Sequence, residues 1–204
     1  MYKFPYYTEQ DQQKVIEFIK ENSFAVITGM GENYPVATQI PLAIKTEGDK
    51  IFLEGHIMRK TDHHLAFEKN NNVLVVFTGP HCFVSATWYT DKQMGSTWNY
   101  MTVQAKGKIS FMDEEGTRNA VKAVSDKYVG TNSSSAFDNL PADYIDHMVK
   151  AIVGFRIEVE SLENTFKLSQ NRDKDSQKNI IEQLRKRGDG NSLAIAEEME
   201  RRLA

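Results

Sequence analysis

The 204-residue sequence contains a single cysteine, Cys82. One thiol excludes an intramolecular disulfide, and with it a secreted disulfide scaffold; a reducing compartment fits. No apolar run approaches the roughly 20 residues that span a bilayer. The start, MYKFPYYTEQDQ, has no apolar signal core. A cytoplasmic protein with no membrane partner is therefore expected. Neither sign of charge dominates, since 25 basic and 28 acidic residues leave a formal charge of -3. That balance excludes a strongly basic nucleic-acid coat and an acidic tail protein. Several familiar motifs are missing as well. Gly29-x-Gly31 has Tyr34 where a dinucleotide fingerprint needs its third glycine. There is no Walker-type lysine loop, no Gly-x-Ser-x-Gly elbow and no His-Glu-x-x-His pair.

What is present is a core. Apolar residues make up 40% of the chain, enough for one generous domain or one domain with an appendage. A first helix is expected from Thr8, where Thr8-Glu9-Gln10-Asp11 has the hydroxyl-x-x-acid form of a helix start. A β-rich region follows: Phe24 to Thr28, Val36 to Ile44, and Ile51 to His56. Pro41 marks the second of these as an edge strand or a bulge. Val73 to Gly79 and Cys82 to Tyr89 suggest a hairpin around Gly79-Pro80-His81, and Trp98 to Phe111 is a long alternating strand. A short helix over 61–69 and a longer one over 113–129, stopped by Gly130, interrupt the strands. Pro141 can start another helix, and Ile152 to Glu160 alternates as the last strand. Past residue 165 the composition turns polar, with helices over 173–187 and 192–203 divided by Gly188-Asp189-Gly190. Short strands with close turns predict an α+β protein built on an antiparallel barrel or sandwich.

The segment with the clearest chemistry is Gly55-His56-Ile57-Met58-Arg59-Lys60-Thr61-Asp62. It joins a strand end to a helix start, where two adjacent cations are locally unfavourable. They make sense if a phosphate receives helix amides, guanidinium and ammonium together; otherwise both are simply solvated. Trp88-Tyr89 and Trp98-Asn99-Tyr100 frame the polar loop TDKQMGST. Such rings beside amides and hydroxyls suit a flat heteroaromatic ligand, or they close a barrel or an interface. Lys167-Leu168-Ser169-Gln170-Asn171-Arg172 is a polar stretch just past the expected last strand. His56, His63, His64 and His81 have no metal-ligand spacing, and no bound metal is expected. Ser85 and Cys82 fall in a strand-like run, packed rather than nucleophilic.

Taken together, Gly55-His56-Ile57, Val84 to Tyr89, Ser96-Thr97-Trp98-Asn99-Tyr100 and Phe166 to Arg172 resemble the PaiB-like family of FMN-binding negative transcriptional regulators. That family lies within the split-barrel flavoproteins related to pyridoxamine-phosphate oxidase. The resemblance covers roughly residues 1 to 175, and Thr-Trp-Asn-Tyr and Lys-Leu-Ser-Gln-Asn are its most specific segments. It implies an antiparallel split β-barrel over 1–165 and a C-terminal helical extension over 166–204, packed on the barrel or on a dimer partner. It further implies a homodimer with FMN in clefts between subunits. Arg59 and Lys60 would fall on the phosphate-binding cations, with Gly55 and His56 just before them. Thr38, Gln39, Ile40 and Pro41 would line the flavin ring by their backbone. Thr97, Trp98 and Asn99 would come from the neighbouring strand, and Lys167, Ser169, Gln170 and Asn171 would close the cleft. Many members carry Asn-Pro shortly after the histidine, where this chain has Thr61-Asp62.

The expected function is thus an FMN-dependent oxidoreductase acting on a small molecule, with His56 as the polar group nearest the ring. The alternatives are a regulator or sensor in which FMN is only a ligand, and a flavin-free barrel for another phosphorylated molecule. DNA is a possible partner of a regulator, but the net negative charge and the absence of a recognition helix or basic stripe argue against it.

Overall fold

The computed structural model describes residues 4–203. Met1 and Ala204, the outer limits of the two expected domains, lie outside the described residues. The elements are α1 (Gln12–Glu21), β1 (Phe24–Met30), β2 (Pro35–Pro41), β3 (Ala43–Glu47), β4 (Lys50–Met58), α2 (Asp62–Lys69), β5 (Asn72–Val84), β6 (Thr97–Phe111), α3 (Glu114–Tyr128), α4 (Ala142–Ala151), β7 (Ile152–Lys167), α5 (Lys174–Arg187) and α6 (Gly190–Leu203). The strands form one sheet in the order β2-β1-β5-β6-β7-β4-β3. The pairs β1–β2, β1–β5, β3–β4 and β4–β7 are antiparallel. The class is α+β, as the strand and helix pattern predicts.

The apolar run from Val36 to Ile44 is divided at Pro41-Leu42 and supplies both outermost strands, β2 and β3. Pro41 therefore does sit on an edge strand, where a missing N–H costs no ladder bond. The Leu42 N–H turns to the Ser23 carbonyl at 2.9 Å.

Contacts divide the chain into two compact units. One holds the residues up to Phe18, Thr78–Val103 and those from Glu163 on; the other holds Ile19–Phe77 and Gln104–Leu162. In the second unit the inward residues Ile27, Leu53, Val75, Phe77, Ala105, Phe155 and Ile157 are fully or almost fully buried. They come from alternate strand positions, so the period of two sets the core face. Gly107 is required there, because a Cβ would lie 2.2 Å from the Glu158 carbonyl oxygen. A satellite cluster of Val121, Phe137, Ile145, Val149 and Ile152 packs α3 and α4 together. The Asp113 side chain caps α3 through the Gly116 N–H at 2.8 Å, and Gly130, at φ +82°, follows its end.

In the first unit, α5 and α6 pack on each other with Ile180, Leu184, Ile195, Ala196 and Met199 buried. Asp173 caps α5 by accepting from the Ser176 N–H at 2.8 Å, and Asp189 caps α6 through the Ser192 N–H at 3.0 Å. Gly188, at φ +74°, terminates α5 in the left-handed conformation. Arg202 near the end of α6 pairs with Glu9 at 2.7 Å, tying the final helix to the start of the chain.

Four local expectations are corrected. The first helix begins at Gln12, not Thr8: Asp11 accepts from the Gln13 N–H, while the Thr8 hydroxyl donates back to the Phe4 carbonyl. There is no hairpin at Gly79-Pro80-His81, because β5 runs straight through. The ladder with β1 ends at Val76, so Pro80 lies beyond it and removes no bond from that side. Ser85 is not in a strand; it caps a 3-10 turn over Ala86–Trp88. The last strand continues past Glu160 to Lys167.

Candidate functional site

In the second unit, the segment from Gly55 to Lys60 leaves β4 and reaches Thr61, whose side chain accepts from the His64 N–H and caps α2. Arg59 and Lys60 thus lie just ahead of the helix, beside its positive end. Lys60 is left-handed, at φ +63°, a conformation uncommon for a residue with a Cβ. The turn is locked. The Arg59 N–H donates to the Ala151 carbonyl at 2.9 Å and the Lys60 N–H to His64 Nδ1 at 3.4 Å. The Thr61 hydroxyl donates to the Met58 carbonyl at 3.0 Å. His64 is buried, with its ring tilted against Phe111 at a centroid distance of 4.9 Å. It braces this turn, a role not visible in the sequence, where His63 and His64 look alike.

The cations themselves have no counter-charge. Arg118, Arg156 and Arg202, all partly buried, each have a carboxylate oxygen within 2.7 Å. Arg59 is also partly buried, yet among the described residues neither it nor Lys60 has a carboxylate partner. Burying a guanidinium without an anion is unfavourable. His56 Nδ1 is buried with no hydrogen-bond partner, and burial pushes the imidazole pKa down, so the ring is neutral at neutral pH. Glu54, one residue before Gly55, is not available to either cation. Burial raises its pKa, but hydrogen bonds from Lys45 and Arg156 outweigh this and hold it below the ordinary range.

Thr38, Gln39, Ile40 and Pro41 lie on β2, which among the described residues pairs with β1 alone. As an edge strand it has backbone groups not used in the ladder. Ile40 is buried, Thr38 and Pro41 are partly so, and Gln39 is exposed. Pro41 and Gly55 meet: they line one small apolar cavity of about 40 Å³ with Leu42 and Ala43. A Cβ on Gly55 would press on Leu42 at 2.9 Å and on the Pro41 carbonyl at 3.2 Å. Ligand pockets usually enclose roughly 300–1,000 Å³, so this cavity alone does not enclose a ring.

The other expected residues lie in the first unit. The Lys167 ammonium donates to the Thr97 hydroxyl and sits 6.0 Å from the Tyr7 ring centroid. Asn99 and Ser169 point inward instead. The Ser169 hydroxyl donates to Asn99 Oδ1 at 3.0 Å, and Asn99 Nδ2 reaches the Met199 sulfur on α6 at 3.5 Å. The Gln170 amide closes its own turn, accepting from the Leu168 N–H and donating to the Phe166 carbonyl. Asn171 is exposed. Strand alternation separates Trp98 from Asn99: Trp98 stands outward, 53% exposed, 6.2 Å from Phe83 and 6.1 Å from His81. Trp88 lies under Arg187 and Tyr89 under Arg172.

These donor sets fit a phosphate-bearing cofactor at the turn after β4, where a partly buried guanidinium and an ammonium stand without a carboxylate. Among solved structures, the fold is similar to that of the FAD and heme binding protein from Mycobacterium smegmatis (TM-score 0.62, 13% identity, 83% of this chain and 78% of that one). The flavocytochrome Anf3 from Azotobacter vinelandii is similar (TM-score 0.61, 15% identity, 81% and 72%). At these identities the likeness shows the fold alone, the antiparallel split barrel expected from the sequence. A family model described as "Putative FMN-binding domain" matches residues 1–161. The chain is also 32% identical to the protease synthase and sporulation protein PAI 2 of Bacillus subtilis, over 100% of its own length and 98% of that protein's. It belongs to this FMN-binding family. No helix among the described residues is long and apolar enough to cross a membrane.

Proposed function

We propose that this protein holds FMN with its phosphate between Arg59 and Lys60 and acts as a flavin-dependent oxidoreductase on a small molecule. The observation that carries the reading is the partly buried Arg59, which lacks the carboxylate that every comparably placed arginine discussed above possesses except Arg172. The amides at the start of α2 add to the same field. The unpaired backbone of β2 from Thr38 to Pro41 would run along the ring edge, and the neutral His56 would offer its Nδ1 as an acceptor or donor there. FMN, when bound, supplies the electron-transfer chemistry, and the protein supplies binding, placement and polarity.

The cavity at Pro41 and Gly55 is too small to enclose a ring by itself, which supports a homodimer in which a second copy covers it. The exposed aromatic face of Trp98, Phe83 and His81 supports the same arrangement. A single free thiol, Cys82, is compatible with a cytoplasmic location. A regulatory reading, with FMN as a bound ligand only, is supported by the similarity to a protein named for protease synthesis and sporulation.

The test is an absorbance spectrum of the purified protein with and without FMN, followed by oxidation of reduced nicotinamide by the loaded protein. Binding with turnover is expected. Binding without turnover, together with retention of the gene's own upstream DNA at moderate salt, would favour the regulator. A colourless protein that leaves FMN fluorescence unquenched would reject both.

A further inference from the structure

A hydroxyl, an ammonium and a phenol meet at the end of α3, inside the second unit. The Lys127 ammonium donates to the Ser23 hydroxyl oxygen at 3.2 Å, and the same oxygen lies 3.2 Å from the Tyr128 hydroxyl. The ammonium also stands 5.1 Å from the Tyr128 ring centroid. Ser23 anchors both partners: it is buried, and its carbonyl accepts the Leu42 N–H at 2.9 Å. Tyr128 is 60% exposed, so a ligand can reach its ring. The Ser23 hydrogen bond holds the phenol pKa below its ordinary value; burial opposes this, and Lys127 adds to it.

Lys127 and Tyr128 line the cavity of about 40 Å³ whose opposite wall includes Pro41 and Gly55. Helix spacing puts them there, since Ala123 and Val124, one turn earlier on α3, line it too. The cavity has room for a water or for the oxygen end of a larger molecule. Its other charged residues, Lys45 and Glu54, pair with each other at 2.6 Å. Flavin reduction of a small molecule calls for a proton as well as electrons. His56 and Glu54 have lowered pKa values and are deprotonated at neutral pH. Tyr128, a phenol backed by an ammonium, is the proton carrier that borders the same cavity as Pro41.

We propose that Tyr128 is the proton donor to the small-molecule substrate, that Ser23 and Lys127 position and polarise its hydroxyl, and that the substrate is a quinone. The inference rests on the flavin reading above and deepens it. Ammonium, hydroxyl and phenol all offer hydrogen-bond donors, which suits an oxygen that gains negative charge. A quinone becomes a hydroquinone by taking one hydride equivalent and one proton. The hydride equivalent comes from reduced nicotinamide by way of the flavin. The proton leaves Tyr128 Oη for a quinone oxygen. Lys127, through Ser23, stabilises the phenolate left behind, and water returns its proton.

The experiment compares menadione and ferricyanide as acceptors for the FMN-loaded protein with reduced nicotinamide. Ferricyanide takes electrons without a proton and so reports on the flavin alone. Tyr128→Phe should bind FMN and reduce ferricyanide as wild type does, yet lose about a hundredfold in kcat with menadione. Lys127→Met should lose less. Alkaline absorbance titration of the FMN-free protein gives a readout independent of turnover. Wild type should show one early-ionising tyrosine, which is missing in Tyr128→Phe and ionises at higher pH in Lys127→Met. Should Tyr128→Phe not fold by circular dichroism, Lys127→Met carries both measurements. Wild type inactive toward ferricyanide would sink the flavin reading and this inference with it. Ferricyanide reduction without menadione reduction, or menadione rates equal in wild type and Tyr128→Phe, would overturn this inference alone.

Discussion

The Ser169 hydroxyl donates a hydrogen bond to the Asn99 side-chain oxygen at 3.0 Å, with Asn99 fully buried and Ser169 nearly so. This pair links the end of β7 to β6 in the interior, and Asn99 continues to Met199 of α6. Ser169→Ala leaves the Asn99 oxygen without its donor, a loss of about 1–3 kcal/mol for a buried polar group. Urea unfolding should register that loss. FMN affinity of the folded fraction should stay at the wild-type value; a large fall in affinity with unchanged stability would place Ser169 at the cofactor instead.

Arg59→Ala/Lys60→Ala should weaken FMN binding strongly, since each charge-assisted hydrogen bond is worth about 1.5–3 kcal/mol. Riboflavin, which has the ring but no phosphate, should bind wild type and variant alike. Fluorescence quenching measures both. Equal losses for the two ligands would mean that the cations do not act on the phosphate.

Lys60→Gly separates the side chain from the backbone it strains. A left-handed residue with a Cβ costs about 1–2 kcal/mol, and Lys60 has φ +63°. The glycine variant should melt at or above the wild-type temperature while binding FMN more weakly. A lowered melting temperature would show that the lysine side chain supports the turn.

Acid should loosen the cap of α5. The Asp173 pKa is held down to about 2 from its ordinary 3.8, first by the hydrogen bond from the Ser176 side chain and then by the Ser176 N–H. The unfolded chain therefore takes up this proton before the folded one. The stabilisation is complete above about pH 4 and is lost as the pH falls toward 2. Asp173→Asn keeps a capping side chain without the titration. Its melting temperature should change less between pH 5 and pH 2.5 than that of wild type. Parallel curves would remove Asp173 from the acid response.

Trp98→Glu places a charge on the exposed aromatic face beside Phe83 and His81. Sedimentation should show a wild-type dimer at micromolar concentration and a monomeric variant with unchanged circular dichroism. A wild-type monomer would remove the proposed dimer.

The legible parts of the fold were those decided within a few residues. Thr61, Asp113 and Asp173 cap helices by accepting the N–H three positions on. Gly188 ends α5 because only a residue without a Cβ enters the left-handed region at little cost. The cation pair at 59–60 was legible for the same reason, as neighbours in sequence at a strand-to-helix junction. Where local signals misled, a distant partner had been left out of account. Gly79-Pro80 reads as a turn, yet β5 continues through it, and Pro80 is tolerated on that side because the β1 ladder has already ended at Val76.

By itself, then, the sequence determined most element types, the caps of the later helices, the alternation that makes Ile27, Leu53 and Val103 inward residues, and the adjacent cations Arg59 and Lys60. Tertiary structure alone decided that β4 pairs with β7 across a hundred residues of chain, that Asn99 faces α6, and that Lys167 and Arg172 meet Tyr7 and Tyr89 with no carboxylate between them. Caps and turns depend on hydrogen bonds to near neighbours. Strand order and charge compensation depend on which remote groups the closing core brings into contact, and no local pattern encodes that choice.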